Sequence, residues 1–190
     1  MAVMQPSRDY GSIAHKVWPW AMTRGALAVV FGILAFAWML PAGTMAMFAS
    51  LIGIFAILDG ATNGVEAFRR RGGVMVLRLL AGAVGIVFGI TALLMAGMAM
   101  NTMTWMLAGW AFLIGGLEIV ANLVDRSGEH RDWVFGTVMG VVAVLFAVLI
   151  AIMMPTFAAM IIFAAVATIV WGIAAMIMGG SERQLSHHRS

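Results

Sequence analysis

Arg24, Asp59, Arg78 and Glu118 are ionisable side chains set inside otherwise apolar stretches of the chain. Two are cations and two are carboxylates, so the chemistry open to them is ion pairing or the uptake and release of a proton. Asn63 follows Asp59 by four residues, and Asn122 follows Glu118 by four. On a helix that spacing puts amide and acid on one face, where the amide can donate to the carboxylate. An unpaired charge at this depth of a bilayer costs about 2.5–3.5 kcal/mol even on the mild insertion scale, and pairing relieves much of it. We expect Arg24 to pair with Asp59 and Arg78 with Glu118. The plain reading is a set of architectural salt bridges, or arginines that reach for the interface. The sharper reading is a proton- or ion-handling site.

Other chemistry is scarce. Cys is absent, which excludes disulfides, thiolate metal sites and Cys nucleophiles. His15, His130, His187 and His188 all lie outside the apolar runs. The chain lacks a zinc-protease helix motif, a phosphate-binding glycine loop and a serine elbow. An enzyme is therefore not expected, nor a cofactor or a metal. Methionines gather toward one end of the runs, among them Met45, Met47, Met98, Met103, Met106 and Met160. Thioethers suit soft ions such as Cu(I), but with no Cys or His beside them they read as flexible, lipid-facing apolar filler.

The elements that must hold these charges are membrane spans. Of 190 residues, 63% are apolar and 10% charged, with a mean hydropathy of +1.03. Soluble domains carry about 25% charged residues. A bilayer core about 30 Å thick needs roughly 20 apolar residues per helix. Six runs meet that length: Trp18–Leu40, Gly43–Ala67, Met75–Gly97, Met100–Val124, Trp133–Met154 and Thr156–Met178. No strand alternation runs through them, so a β-barrel is not expected. The expected fold is an all-α membrane bundle of six spans over residues 18–178. Residues 1–17 form a polar N-terminal tail, not a secretory signal, and residues 179–190 form a C-terminal tail. The breaks at Pro41-Ala42, Met98-Ala99 and Pro155 are short enough to make helical hairpins.

Every Lys and Arg falls on the other side of the spans from those short breaks. Arg8, Lys16 and Arg24 precede or open the first span; Arg69, Arg70, Arg71 and Arg78 surround the second loop; Arg126 and Arg131 sit in the fourth; Arg183 and Arg189 are in the tail. Positive residues in short loops stay cytoplasmic, so both termini are expected in the cytoplasm. All four intramembrane charges then fall in one layer, about 8–12 Å from the cytoplasmic ends. The outer half has no titratable group to relay a proton, which disfavours a pump.

Small residues recur in register. Gly25 and Gly32, Gly82 and Gly89, and Gly140 and Ala147 mark the odd spans. Gly53 and Gly60, Gly109 and Gly116, and Ala165 and Gly172 mark the even ones. Each pair is seven apart, hence on one helix face, and the copies recur every 56–58 residues. This is one hairpin three times over, at about 18–67, 75–124 and 133–178, with all copies pointing the same way. A pseudo-threefold arrangement about the membrane normal follows naturally. Lipid is as apolar as Leu, so close packing at Gly and Ala supplies helix association. These faces are expected to hold the bundle together rather than to make a dimer face; the expected partner is the lipid bilayer, with a homo-oligomer left open. Nucleic acid is not an expected partner.

The first hairpin, with Trp20, Arg24-Gly25, Phe31-Gly32, Pro41, Thr44, Gly53 and Asp59-Gly60, resembles the HdeD family of bacterial inner-membrane acid-resistance proteins. The second keeps Phe88-Gly89, Thr102, Trp110 and Gly115-Gly116; the third keeps Pro155-Thr156 and Trp171-Gly172. The resemblance implies an integral inner-membrane protein linked to acid stress and names no catalytic residues. The expected function is thus a non-enzymatic membrane protein of acid or envelope stress. A small-solute or ion transporter or channel is the competing class, although Ser50, Thr91 and Thr168 are the only polar residues near mid-membrane that could line its pocket.

Overall fold

A computed structural model describes residues 22–23, 25–39, 44–68, 70, 72–125, 132–154 and 156–187. Among the described residues the regular structure is entirely helical, with no strand. Helix α1 spans Gly25–Ala37, and its last turn widens into a π-helical turn over Ala35–Met39. There follow α2 (Met45–Ala67), α3 (Gly73–Leu94), α4 (Met100–Val124), α5 (Asp132–Met153) and α6 (Phe157–His187). Helices α2 to α6 are each long and apolar enough to cross a membrane. These are the second to sixth expected spans, with ends shifted by a few residues. The last apolar span ends at Ile177, where the sequence places it. Its helix continues to His187, 31 residues in all, so it is about 46 Å long at 1.5 Å per residue.

Local chemistry sets the starts and stops. The Thr44 hydroxyl accepts the Met47 N–H at 3.3 Å and caps α2, and the Thr156 hydroxyl accepts the Ala159 N–H at 3.4 Å at the start of α6. Ala99 occupies the same place before α4, without a side-chain cap. At the α2–α3 turn Gly72 has φ +66°, a conformation that glycine adopts freely. Met154, closing α5, has φ +40°. A left-handed backbone costs an L residue roughly 1–2 kcal/mol.

The caps also fix how the repeats superpose. Thr44, Ala99 and Thr156 are equivalent, so Gly60 matches Gly115 and Gly172. The packing agrees. A Cβ at Gly60 would lie 2.6 Å from the Gly82 carbonyl oxygen, one at Gly115 2.7 Å from that of Gly140, and one at Gly25 2.6 Å from that of Gly172. Gly53 meets Gly89, and Gly32 meets Ala165, in the same manner one layer further along. This corrects the expected stripe on α4. A Cβ at Gly109 or Gly116 would meet nothing within 4 Å. The packed face is Ala108 and Gly115, one residue earlier, because α4 begins 55 residues after α2 rather than 56.

The close pairs are therefore α2 with α3, α4 with α5, and α6 with α1. Each joins the end of one hairpin to the start of the next, and the last closes the ring. The core draws on all six helices. Equivalent positions of α2, α4 and α6 stack in layers: Phe48, Met103 and Met160, then Ile52, Leu107 and Ala164. Met103 and Met160 are fully buried, so these two methionines fill the core and do not face lipid as expected.

Candidate functional site: a polar layer at the charged end

Three turns further along the same inward face, the layered positions change character. Asn63 on α2 and Glu118 on α4 are equivalent, and they are 1% and 4% exposed. The third member of the layer is Ala175 on α6, also buried. Between the two polar members lies Arg78 of α3. Its Nη1 donates to Asn63 Oδ1 at 3.2 Å and stands 3.8 Å from Glu118 Oε1. Its Nε is 3.7 Å from Glu66 Oε1, beyond hydrogen-bond reach, and is buried without a hydrogen-bond partner.

The network extends in both directions. Asn63 Nδ2 donates to Asp59 Oδ2 at 3.1 Å and to the Asp59 carbonyl at 3.0 Å. Asn63 thus links acid and guanidinium, donating to one and accepting from the other, and Asp59 itself is 7% exposed. Toward the helix ends, Arg70 joins Glu66 Oε1 at 3.4 Å and Asp125 Oδ2 at 2.6 Å. Arg70 and Asp125 are again equivalent positions of two repeats. Residues of matching register meet only near the axis that relates their repeats, so this is a charged plug on the bundle axis at one end.

The sequence-expected residues fare differently. Arg78 and Glu118 come together, with Asn63 and Glu66 as further ligands of the same guanidinium. Arg24 lies outside the described residues, so its pairing with Asp59 does too. Asn63 reaches the Asp59 carboxylate. Asn122 does not reach that of Glu118: its Nδ2 donates to the Glu118 backbone carbonyl at 2.7 Å. Its side chain lies over Gly136 of α5, where a Cβ would come within 2.5 Å of it, and that contact turns the amide away from the acid. Glu66 and Asp125 were not singled out from the sequence, and Arg70 was read there only as one of the arginines that set orientation. Their signal was spacing: Asp59, Asn63, Glu66 and Arg70, like Glu118, Asn122 and Asp125, run at helical i, i+4, i+7 intervals along one face.

Elsewhere polar groups are satisfied locally or sit alone. The hydroxyls of Thr91, Thr104 and Thr168 donate to carbonyls of their own helices at 2.8–2.9 Å. Trp110 stacks on Phe88 with ring centroids 4.8 Å apart, and its buried indole N–H has no acceptor. A crevice with room for about one water, 10 Å³, opens beside Asp59 between Leu27 and Phe55. Among the described residues no three His, Cys, Asp or Glu side chains converge to hold a metal.

Among the described residues, six apolar helices, five of membrane-spanning length, packed through reciprocal glycine contacts around a buried ionic layer, define a multi-pass helical membrane protein built from repeated hairpins. A family model described as "Short repeat of unknown function (DUF308)" matches residues 23–90 and 80–152, and the chain belongs to that family. The two matches run from α1 into α5 and stop short of α6. The chain matches no curated protein and no solved structure.

Proposed function

We propose that the protein is a non-enzymatic, HdeD-type protein of the bacterial inner membrane that serves in acid or envelope stress by reinforcing or scaffolding the bilayer, with both termini in the cytoplasm. The observation that carries this reading is the filled axis. Phe48, Met103 and Met160 close one end, with Ile52, Leu107 and Ala164 beneath them, all at most 3% exposed. A solute path needs a polar pocket or water-lined route near mid-membrane, and the Thr168 hydroxyl at that depth is turned onto its own backbone, as is that of Thr91 in the last turn of α3. The end away from the arginine-rich loop carries no titratable side chain in its turns. Acid destabilises proteins by protonating native carboxylates and buried histidines, so that face offers an acidic exterior nothing to titrate.

A small-solute or ion transporter is the second reading, favoured by the axial Asn63–Arg78–Glu118 layer. Two measurements separate them. A deletion strain should lose survival at low external pH, and the wild-type chain should restore it. Purified protein in proteoliposomes should pass protons and small organic acids no faster than empty vesicles. Flux above that baseline, abolished by Glu118→Gln, would move the assignment to the transporter.

A further inference from the structure

Hairpins two and three are copies of one unit, so matching positions can be compared directly. In hairpin two, α3 and α4 pack closely. Phe88 stacks on Trp110, and Arg78 reaches Glu118. Hairpin one has the same aromatic clasp, Phe31 against Phe55 at 4.5 Å. Phe31, Phe88 and Phe146 each stand six residues after Gly25, Gly82 and Gly140; Phe55 and Trp110 each stand five before Gly60 and Gly115.

The third hairpin keeps Phe146 and breaks the pattern at the other places. Five residues before Gly172 stands Ala167, which has no ring to offer. Phe146 meets Phe163 instead, one turn nearer the α5–α6 connection, edge-on at 6.4 Å. Ala175 stands where Asn63 and Glu118 stand, and Gly136 where Arg78 stands. The backbones of α5 and α6 accordingly approach each other only sparsely, although a short turn joins them as it does α3 and α4. That turn holds Met154 at φ +40°. Helix α6 is anchored near the turn, with Phe157 edge-on to Phe48 at 6.0 Å and the Met160 sulfur 3.8 Å from the Thr104 hydroxyl oxygen. Toward the charged end it packs on α1 through Gly172 and Gly25. The family match ends before α6 begins.

We propose that the α5–α6 seam is the joint at which the bundle opens. The charged-end half of α6, carried with α1, swings away from α5 while the methionine-rich end stays closed. Opening there gives lateral access from the surrounding lipid to the Asn63–Arg78–Glu118 layer on the axis. It is a hinge of the kind in which packed elements have two discrete arrangements. The other two seams of this type are braced, α1–α2 by Phe31 against Phe55 and α3–α4 by stacking and by the ionic contact, and stay shut.

The absence of cysteine makes distance measurement direct. Spin labels at Val138→Cys and Ile173→Cys report the α5–α6 seam from two lipid-facing positions. The repeat-equivalent pair, Leu80→Cys and Gly116→Cys, reports α3–α4, and Gly116 has open space for a side chain. In nanodiscs we expect one narrow distance distribution for the α3–α4 pair. The α5–α6 pair should be at least about twice as wide, or two-peaked. Ala167→Phe, which supplies the missing ring, should collapse the α5–α6 distribution to its short component and leave the α3–α4 pair unchanged. Equal narrow widths for the two pairs in the otherwise native chain would overturn the proposal, whether or not the Ala167→Phe variant inserts. Trp110→Ala should widen the α3–α4 pair; an unaltered width there would show that the clasp is not what braces a seam.

Discussion

At the residue scale the decisive side chain is Arg78. Among the described residues it is the cation that faces Asn63, Glu66 and Glu118 together, from a third helix, with its own side chain 13% exposed. Removing one partner of a buried pair leaves the other charge uncompensated, which typically costs about 3–5 kcal/mol. Replacing both by apolar residues of similar size is far milder. Arg78→Met should therefore lower unfolding stability in detergent, by at most about that amount because Glu118 has further contacts, and Arg78→Met with Glu118→Met should lose less than the two single losses together. Simple additivity of the two single losses in the double-mutant cycle would mean that the two groups are not coupled. The layer was partly legible in the sequence. Four ionised groups in apolar runs announce themselves, because charge is rare at such depth. Which partner each one takes was not legible. Asn122 shows why: helical spacing allowed a bond to the Glu118 carboxylate, and the approach of Gly136 from another helix redirected it to the backbone.

At the scale of elements, small residues decide which helices touch. Close approach at Gly60 brings the backbones of α2 and α3 so near that a methyl group would meet a carbonyl oxygen at 2.6 Å. Gly116, on the neighbouring face of α4, meets nothing within 4 Å. Gly60→Ala should then cost about 1–3 kcal/mol through forced backbone movement. Gly116→Ala should be neutral, or stabilising by up to about 1 kcal/mol through helix propensity. Thermal unfolding of both variants in one detergent checks the contrast; equal effects would sink the assignment of the packed stripe. The helices themselves were readable from apolar length. The stripe on α4 was misjudged by one residue, because adjacent glycines at 115 and 116 fit the seven-residue spacing equally well and only packing distinguishes them. The length of the last helix was not readable from composition: α6 runs on to His187, past the apolar segment that ends at Ile177.

At the scale of the whole molecule, α3 puts the Met98–Asn101 turn and Arg70 at opposite ends of the bundle. With single cysteines at Asn101 and Arg70 in the natural Cys-free chain, a membrane-impermeant thiol reagent applied to intact cells should label the first and spare the second. Labelling of Arg70→Cys from outside, or equal labelling of both, would contradict the proposed orientation. The charged plug binds α2, α3 and α4 at one end, and the apolar layers join all six helices at the other. The threefold pattern is therefore strong in the apolar half and broken in the charged half, and the third hairpin carries the break.

The amino-acid sequence by itself determined that this chain is a membrane-spanning helical protein of three repeated hairpins with its charges at one end. Those properties depend on apolar length, charge placement and periodicity, which need no knowledge of neighbours. Only the tertiary structure decided that the tight pairs join successive hairpins rather than the two arms of one, and that Arg78 gathers three polar partners on the axis. In a bilayer, lipid-facing and helix-facing side chains are equally apolar, so the pattern that marks the buried face of a soluble helix is missing. Lateral partners are then set by where two backbones can come close, a property of both helices at once.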